Sequence, residues 1–346
     1  MINEIFNCNL RKRHTFGMDV SCRRLIEYDG LADLPAVLAM IEPGERWFHL
    51  GGGSNVLFSG DFNGTVLVNR DCNVEFGEPQ PDGAVKLTAA AGAVLDDVVA
   101  ESCRRGLWGI ENLSGIPGTI GGAAVQNVGA YGQEISDSTV GVFAYDTVLK
   151  RPVTIPVVNC RYGYRRSAFK EPANEGRFII LGMELCLNAR GSASLAYGDL
   201  RNSPSATSDA TPDDMRRAVL EKRNSKLPDP AVTGSAGSYF KNPVLTPAEF
   251  EEFRAVAGAG DFPHYPLPGG NVKIPAAWLI EQTGWKGYSD PSGAGVWHLQ
   301  PLVLVNLSGN AAPSDILSLE HRIIESVRKR FGIRLSNEVC KISAEG

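Results

Sequence analysis

The sequence has no cysteine pair at Cys-x-x-Cys spacing, and its seven cysteines are dispersed and odd in number. That pattern argues against a disulfide framework or a zinc site, so the thiols are expected to be reduced and mostly buried. The five histidines form neither a His-x-x-x-His nor a His-Glu-x-x-His pattern, and no metal is expected. No apolar run approaches the ~20 residues that span a bilayer. The segment Met1 to Lys12 alternates polar and apolar residues and lacks the apolar core of a signal peptide. No membrane insertion and a cytoplasmic location are therefore expected. There is no basic block, and the formal charge is −5. This weighs against nucleic acid as a partner, since sequence-independent binding needs a clustered positive surface. A small anion would have to be held by a few local Arg and Lys side chains.

What is present is ordinary in bulk and unusual in detail. With 43% hydrophobic and 21% charged residues, the composition is that of a globular protein. A chain of 346 residues exceeds one ordinary core and suits two or three domains. Strands are predicted at Gly64 to Arg70, Ala84 to Ala90, Val140 to Tyr145, Val153 to Val158 and Arg177 to Leu187. Leu95 to Cys103 is periodic, with Leu95, Val98, Val99 and Ser102 on one helical face. Asn202 to Asp213 is a surface linker by composition, followed by a charged helix from Asp213 to Lys226. Thr246-Pro-Ala-Glu249 is a capping box that opens a helix to about Ala257. After a Gly- and Pro-rich loop, a short apolar helix runs from Pro275 to Gln282. The last helix starts near Ser314, buries Ile316, Leu319, Ile323, Val327 and Phe331, and stops at Gly332. Ile333 to Ile342 is predicted to return as a strand. Without a repeating βαβ rhythm, the fold class is α+β.

Two stretches are richer in glycine than structure alone requires. In Gly51-Gly-Gly-Ser-Asn55, three consecutive glycines permit positive φ and close backbone approach, and Ser54 and Asn55 add short donors suited to a pyrophosphate. It is neither a P-loop, which ends in Gly-Lys-Ser/Thr, nor a G-x-G-x-x-G fingerprint. A plain glycine-rich hairpin accounts for this stretch equally well. In the second, Gly115, Gly118, Gly121, Gly122, Gly129 and Gly132 are interleaved with Ile116, Ile120 and Val125. These apolar residues are wrong for a linker, and a loop laid against a large flat cofactor fits better.

The two stretches together, with Gln126-Asn127 and Gly129-Ala-Tyr-Gly132, resemble the UDP-N-acetylenolpyruvoylglucosamine reductase family. The likeness continues in order through Thr15-Phe-Gly17, Tyr162-Gly-Tyr-Arg165, Lys226-Leu-Pro-Asp-Pro230, Gly237-Ser-Tyr-Phe-Lys-Asn242, Ala277-Trp-Leu-Ile280 and Asn337-Glu-Val339. It implies a vanillyl-alcohol-oxidase-like (PCMH-type) FAD-binding fold in two subdomains, plus a C-terminal α+β substrate-binding domain. The expected division is 1–70 joined by the C-terminal strand 333–346, then 71–220, then 221–332.

The resemblance implies non-covalent FAD and NADPH as co-substrate. Hydride would pass through the flavin to the vinyl carbon of a UDP-sugar enolpyruvyl ether, in peptidoglycan synthesis. Arg165 is implied to grip the carboxylate as enolate charge grows, a task suited to a planar guanidinium. Ser238 is implied to donate the proton and must be polarised to do so. Glu338 is implied to complete the catalytic group. Cofactor contacts are implied at Gly51, Gly52, Gly53, Ser54, Asn55, Ile116, Pro117, Gly118, Gly121, Gly122, Gln126, Asn127, Gly129 and Ala130. Tyr164, Tyr197, Lys226, Asn242 and Gln282 are implied for the substrate, and the Tyr197-Gly-Asp199 loop is that of the family's longer branch. A monomer is expected. Gly122 and Ala123 stand where some relatives carry serines, which removes a hydroxyl from the flavin side.

Two other readings stay open on the sequence. An FAD oxidase of the same fold would tether flavin through a histidine, and His49 sits beside the first glycine stretch. A nucleotide-sugar-binding protein without redox chemistry would use Lys226 and Tyr197 but would not need the second glycine stretch.

Overall fold

The computed structural model describes residues 1–193, 200, 205, 207, 209–258 and 261–344. Tyr197, its Gly-Asp neighbours and five of the twelve residues of the expected linker (202–204, 206 and 208) lie outside the described residues. The chain forms two compact units. The first takes 1–8, 22–52 and 63–225, and the second takes 9–21, 53–62 and 226–346.

Two sheets frame the first unit. The strands Asn3–Asn9, Ser21–Tyr28, Phe62–Asn69 and Trp47–His49 lie side by side in that order, the last two parallel. Ile26, Tyr28, Leu34, Val37, Leu67, Tyr145 and Ile179 pack into one buried cluster here. The larger sheet orders Arg151–Pro156, Thr139–Asp146, Phe178–Asn188, Ala84–Ala90 and Val74–Phe76. Every pairing in it is antiparallel, as expected without βαβ units. Helix Leu95–Arg104 covers it with Leu95, Val98, Val99, Ser102 and Cys103 buried. Removing these apolar faces from water is the main favourable term. Helix Pro212–Asn224 is capped by Thr211 and tied by Arg216 to Asp96.

The middle of the second glycine stretch is a helix, Ile120–Gln126, and not a loop. A side chain at Gly121 would begin 3.0 Å from the Ala91 Cβ and 3.2 Å from its carbonyl. The glycines here let a helix lie against the Ala84–Ala90 strand end, a close approach that sequence composition does not distinguish from a loop.

In the second unit, Gly234–Ser238, Val303–Asn306 and Ala294–Val296 form an antiparallel sheet. Helix Pro313–Phe331 packs on this sheet, and the helices Pro247–Ala257 and Ala276–Gln282 pack on that helix, with Phe253, Leu279, Ile280, Ile316 and Phe331 among the buried residues. The capping box at Thr246 and the Gly332 stop are as read from sequence. The strand expected over 333–342 shrinks to Cys340–Ile342, which pairs in parallel with Val56–Phe58. Residues 333–339 are mainly irregular because the N–H groups of Glu338 and Val339 both turn to the Tyr239 carbonyl, at 2.9 and 3.5 Å. The burial of Ile333, Leu335 and Val339 survives without the strand.

Candidate flavin and substrate site

The boundary between the two units falls inside the glycine triplet, between Gly52 and Gly53. In the first unit, a Cβ on Gly51 would lie 2.8 Å from the Thr119 hydroxyl and one on Gly52 only 2.7 Å from the Gly118 Cα. Two nearly bare backbones therefore touch. Gly118 and Gly121 are stitched in turn to the strand-to-helix corner, through Leu95 N–H to the Gly118 carbonyl at 3.0 Å and Gly121 N–H to the Ala91 carbonyl at 3.0 Å. In the second unit, Gly53 has φ +63°, and any Cβ would stand 2.2 Å from the Arg13 carbonyl. Among the described residues, the N–H groups of Gly51, Gly52 and Gly53 have no acceptor. The Thr119 hydroxyl is buried and, among the described residues, has no hydrogen-bond partner. Orphaned donors of this kind call for a ligand, and consecutive backbone N–H groups suit phosphate oxygens.

Several of the other expected cofactor residues are occupied by the protein itself. The Asn55 amide donates to the Glu338 carbonyl at 3.2 Å. Gln126 accepts from the Lys170 ammonium at 2.6 Å. Asn127 is fully buried at φ +44° and donates to Glu134 at 2.6 Å and to the Gly163 carbonyl at 3.1 Å. Both amide hydrogens of Asn127 are thus committed to the fold. Ile116 packs against the large core, and Pro117 is exposed. Gly129-Ala130 pairs with Gln133-Glu134 around Tyr131 and Gly132, both at positive φ.

Arg165 sits at the tip of a two-residue hairpin closed by Gly163 and Arg166, whose backbones exchange hydrogen bonds at 3.1 and 2.9 Å. Its φ is +52°, a conformation that turns normally give to glycine or asparagine. Holding a non-glycine residue there costs about 1 kcal/mol, a strain that is tolerated where a side chain must be aimed. The guanidinium donates to the Gly129 carbonyl at 2.9 Å and stands 5.4 Å from the centre of the Tyr164 ring. The first unit therefore gathers Arg165, Tyr164, Asn127 and Gly129. Lys170, not singled out in the sequence, binds the Arg165 carbonyl at 3.3 Å.

In the second unit, Ser238 ends a strand whose register slips between Ser235 and Ser238. Gly237 at φ +69° supplies the bulge that re-aims it. Among the described residues the Ser238 hydroxyl has no hydrogen-bond partner, while the next residue, Tyr239, accepts the Glu338 N–H. Ser238 and Glu338 are thus brought close through adjacent backbone; Arg165 belongs to the other unit. Asn242 accepts the Ala276 N–H at 2.9 Å and so caps the helix that ends at Gln282, which is exposed. The Lys226 carbonyl accepts the Trp297 indole N–H at 3.1 Å.

His49 is paired through Nε2 with the Tyr28 hydroxyl at 2.9 Å, and burial lowers its pKa to about 4. Its Nε2, already engaged by the Tyr28 hydroxyl, is the less suited to tether a flavin.

Bare touching backbones and donors left without acceptors suit a phosphate-bearing ligand, and residues 26–150 match the family described as an FAD binding domain. The second unit makes the assignment specific, because residues 229–342 match the UDP-N-acetylenolpyruvoylglucosamine reductase C-terminal domain. A reductase of that description from Bacteroides fragilis is 39% identical over 331 residues, covering 96% of this chain and 98% of the relative. One from Pseudomonas aeruginosa is 39% identical over 335 residues, covering 96% and 97%. The solved structure of the Thermus caldophilus reductase aligns over 99% of this chain and 98% of that one, with a TM-score of 0.65 at 22% identity, a likeness of fold. The chain belongs to the UDP-N-acetylenolpyruvoylglucosamine reductase family. Its fold is accordingly the vanillyl-alcohol-oxidase-like FAD-binding type with a C-terminal α+β domain, and its cofactor is FAD.

Proposed function

We propose that this protein reduces the enolpyruvyl group of UDP-N-acetylenolpyruvoylglucosamine to UDP-N-acetylmuramate, with NADPH as electron source, in peptidoglycan synthesis. Its relatives carry that name at 39% identity across almost the whole chain. FAD, when bound, supplies the hydride carrier between the two substrates. Hydride addition at the vinyl carbon drives charge toward the carboxylate. The aimed guanidinium of Arg165 binds that carboxylate and remains charged as the enolate develops. Ser238 delivers the proton to the α-carbon, and Glu338 stabilises the enol or assists protonation. Lys226 holds the diphosphate as a point charge, with Tyr164, Tyr197, Asn242 and Gln282 toward the rest of the nucleotide. Gly51 to Asn55 and Gly118 to Gly122 hold the cofactor chiefly through backbone. The protein acts as a monomer in the cytoplasm.

The observation that supports the catalytic assignment is the Ser238 hydroxyl, which has no partner among the described residues and lies on a bulge whose next residue, Tyr239, accepts the Glu338 N–H. Stopped-flow measurement of the two half-reactions tests it. NADPH should bleach the flavin, and the enolpyruvyl nucleotide should restore its colour. Flavin that stays oxidised under excess anaerobic NADPH would refute the assignment.

A further inference from the structure

The long helix Pro313–Phe331 buries a carboxylate. Glu320 is 5% exposed and lies among Ile316, Leu319 and Ile323 on the apolar stripe. An uncompensated charge there would cost several kcal/mol. It is compensated by three side chains. The Tyr239 hydroxyl donates to Oε2 at 2.7 Å, and the Asn337 amide donates to Oε1 at 2.7 Å. The Lys341 ammonium reaches both oxygens, at 2.8 and 3.1 Å. Tyr239 is fully buried, and burial followed by the Glu320 charge pushes its pKa up, so its hydroxyl remains a donor.

Two of these donors are the immediate neighbours of the two catalytic residues in this unit. Tyr239 follows Ser238, and Asn337 precedes Glu338. Their backbones are joined by the Glu338 N–H to the Tyr239 carbonyl, and Phe240 bridges Asn337. One carboxylate therefore grips the side chain next to the proposed proton donor and the side chain next to its partner carboxylate. A core serving stability alone would be satisfied by apolar residues of the same volume. A buried ionic clamp adds fixed geometry, which proton transfer needs at the level of hydrogen-bond reach.

We propose that Glu320 is a positioning residue, which sets the mutual geometry of Ser238 and Glu338 through Tyr239 and Asn337. This rests on the reading of Ser238 as proton donor, and the test separates the two. In the flavin-loaded protein, Glu320→Gln keeps the shape and removes the charge. NADPH should reduce its flavin within about twofold of the wild-type rate, while oxidation by the enolpyruvyl nucleotide slows at least tenfold with little change in KM. In a Ser238→Ala background the same change should have almost no further effect, since there is no donor left to align. Tyr239→Phe, which removes a single hydroxyl, should slow the same half-reaction several-fold and covers the case in which Glu320→Gln does not fold. Equal slowing of both half-reactions, wild-type rates in either single variant, or full additivity with Ser238→Ala would overturn the positioning role. If Ser238→Ala itself leaves the second half-reaction unchanged, the proton-donor reading falls as well.

Discussion

Arg165 shows what a single backbone angle can report. Its left-handed φ at a hairpin tip is a conformation that glycine would adopt at no cost, yet the chain places a guanidinium there and anchors it to the Gly129 carbonyl. Arg165→Gly should therefore relax the turn while removing the charge, so thermal stability should hold or rise as substrate turnover falls by orders of magnitude. Ser238→Ala should lower the rate of substrate reduction by roughly 10² to 10⁴-fold and leave flavin reduction by NADPH nearly intact; equal losses in both would contradict its role. His14 gives a pH prediction. Its ring is 5% exposed, Nδ1 has no partner among the described residues, and burial lowers its pKa from 6.5 to about 4. The folded state keeps it neutral while the unfolded chain takes up a proton near 6.5. Its contribution is thus complete above that pH and is lost as pH falls toward 4, by up to roughly 3 kcal/mol. Urea titrations of His14→Leu across this window should show a shallower acid slope than wild type. A residual slope will remain, because His49 shifts in the same direction.

At the level of elements, the sequence reads well where signals are local. The Thr246 capping box, the Gly332 stop and the stripe of Ile316, Leu319, Ile323, Val327 and Phe331 follow from short spacings, and all appear in the structure. Glu320 was legible in principle, four residues after Ile316 and three before Ile323 on that stripe, but residue type argued for solvent and position for burial. Helix Ile120–Gln126 was hidden because glycine lowers helix propensity, and only the distance to Ala91 explains why glycine is needed. The extended strand expected over 333–342 failed because its partners, Tyr239 and Val56, are remote in sequence. Of the site, only the second glycine stretch pointed to a cofactor by itself, and the first was equally a plain hairpin; Ser238, Arg165 and Glu338 emerged only through family likeness, since a lone serine or glutamate carries no pattern. Gly121→Val should lever the helix off Ala91. We expect at least about 2 kcal/mol of destabilisation and impaired flavin retention, measured by fluorescence after gel filtration. Undiminished retention would show that this close approach is dispensable.

At the scale of the whole molecule, the chain passes repeatedly between its two compact units, so neither is one continuous stretch. A fragment of 226–346 would lack Val56–Phe58, the pairing partner of Cys340–Ile342, and the Phe16 carbonyl that the Asn306 amide reaches at 3.3 Å. Expressed alone, it should give no cooperative melt; a cooperative one would contradict this reading. The intact protein should release all its flavin on denaturation, and added FAD should raise its melting temperature by mass action.

The parallel pairing of Val56–Phe58 with Cys340–Ile342 also has a history in time. Asn55 meets its Glu338 partner across 283 positions. At roughly 5 to 20 residues per second, a ribosome leaves Leu57 and Phe58, both wholly buried in the finished protein, unmatched for something like a quarter-minute to a minute. Throughout that wait the Val56–Phe58 edge has no strand to pair with, so this part of the second unit can close only after Cys340–Ile342 has been made.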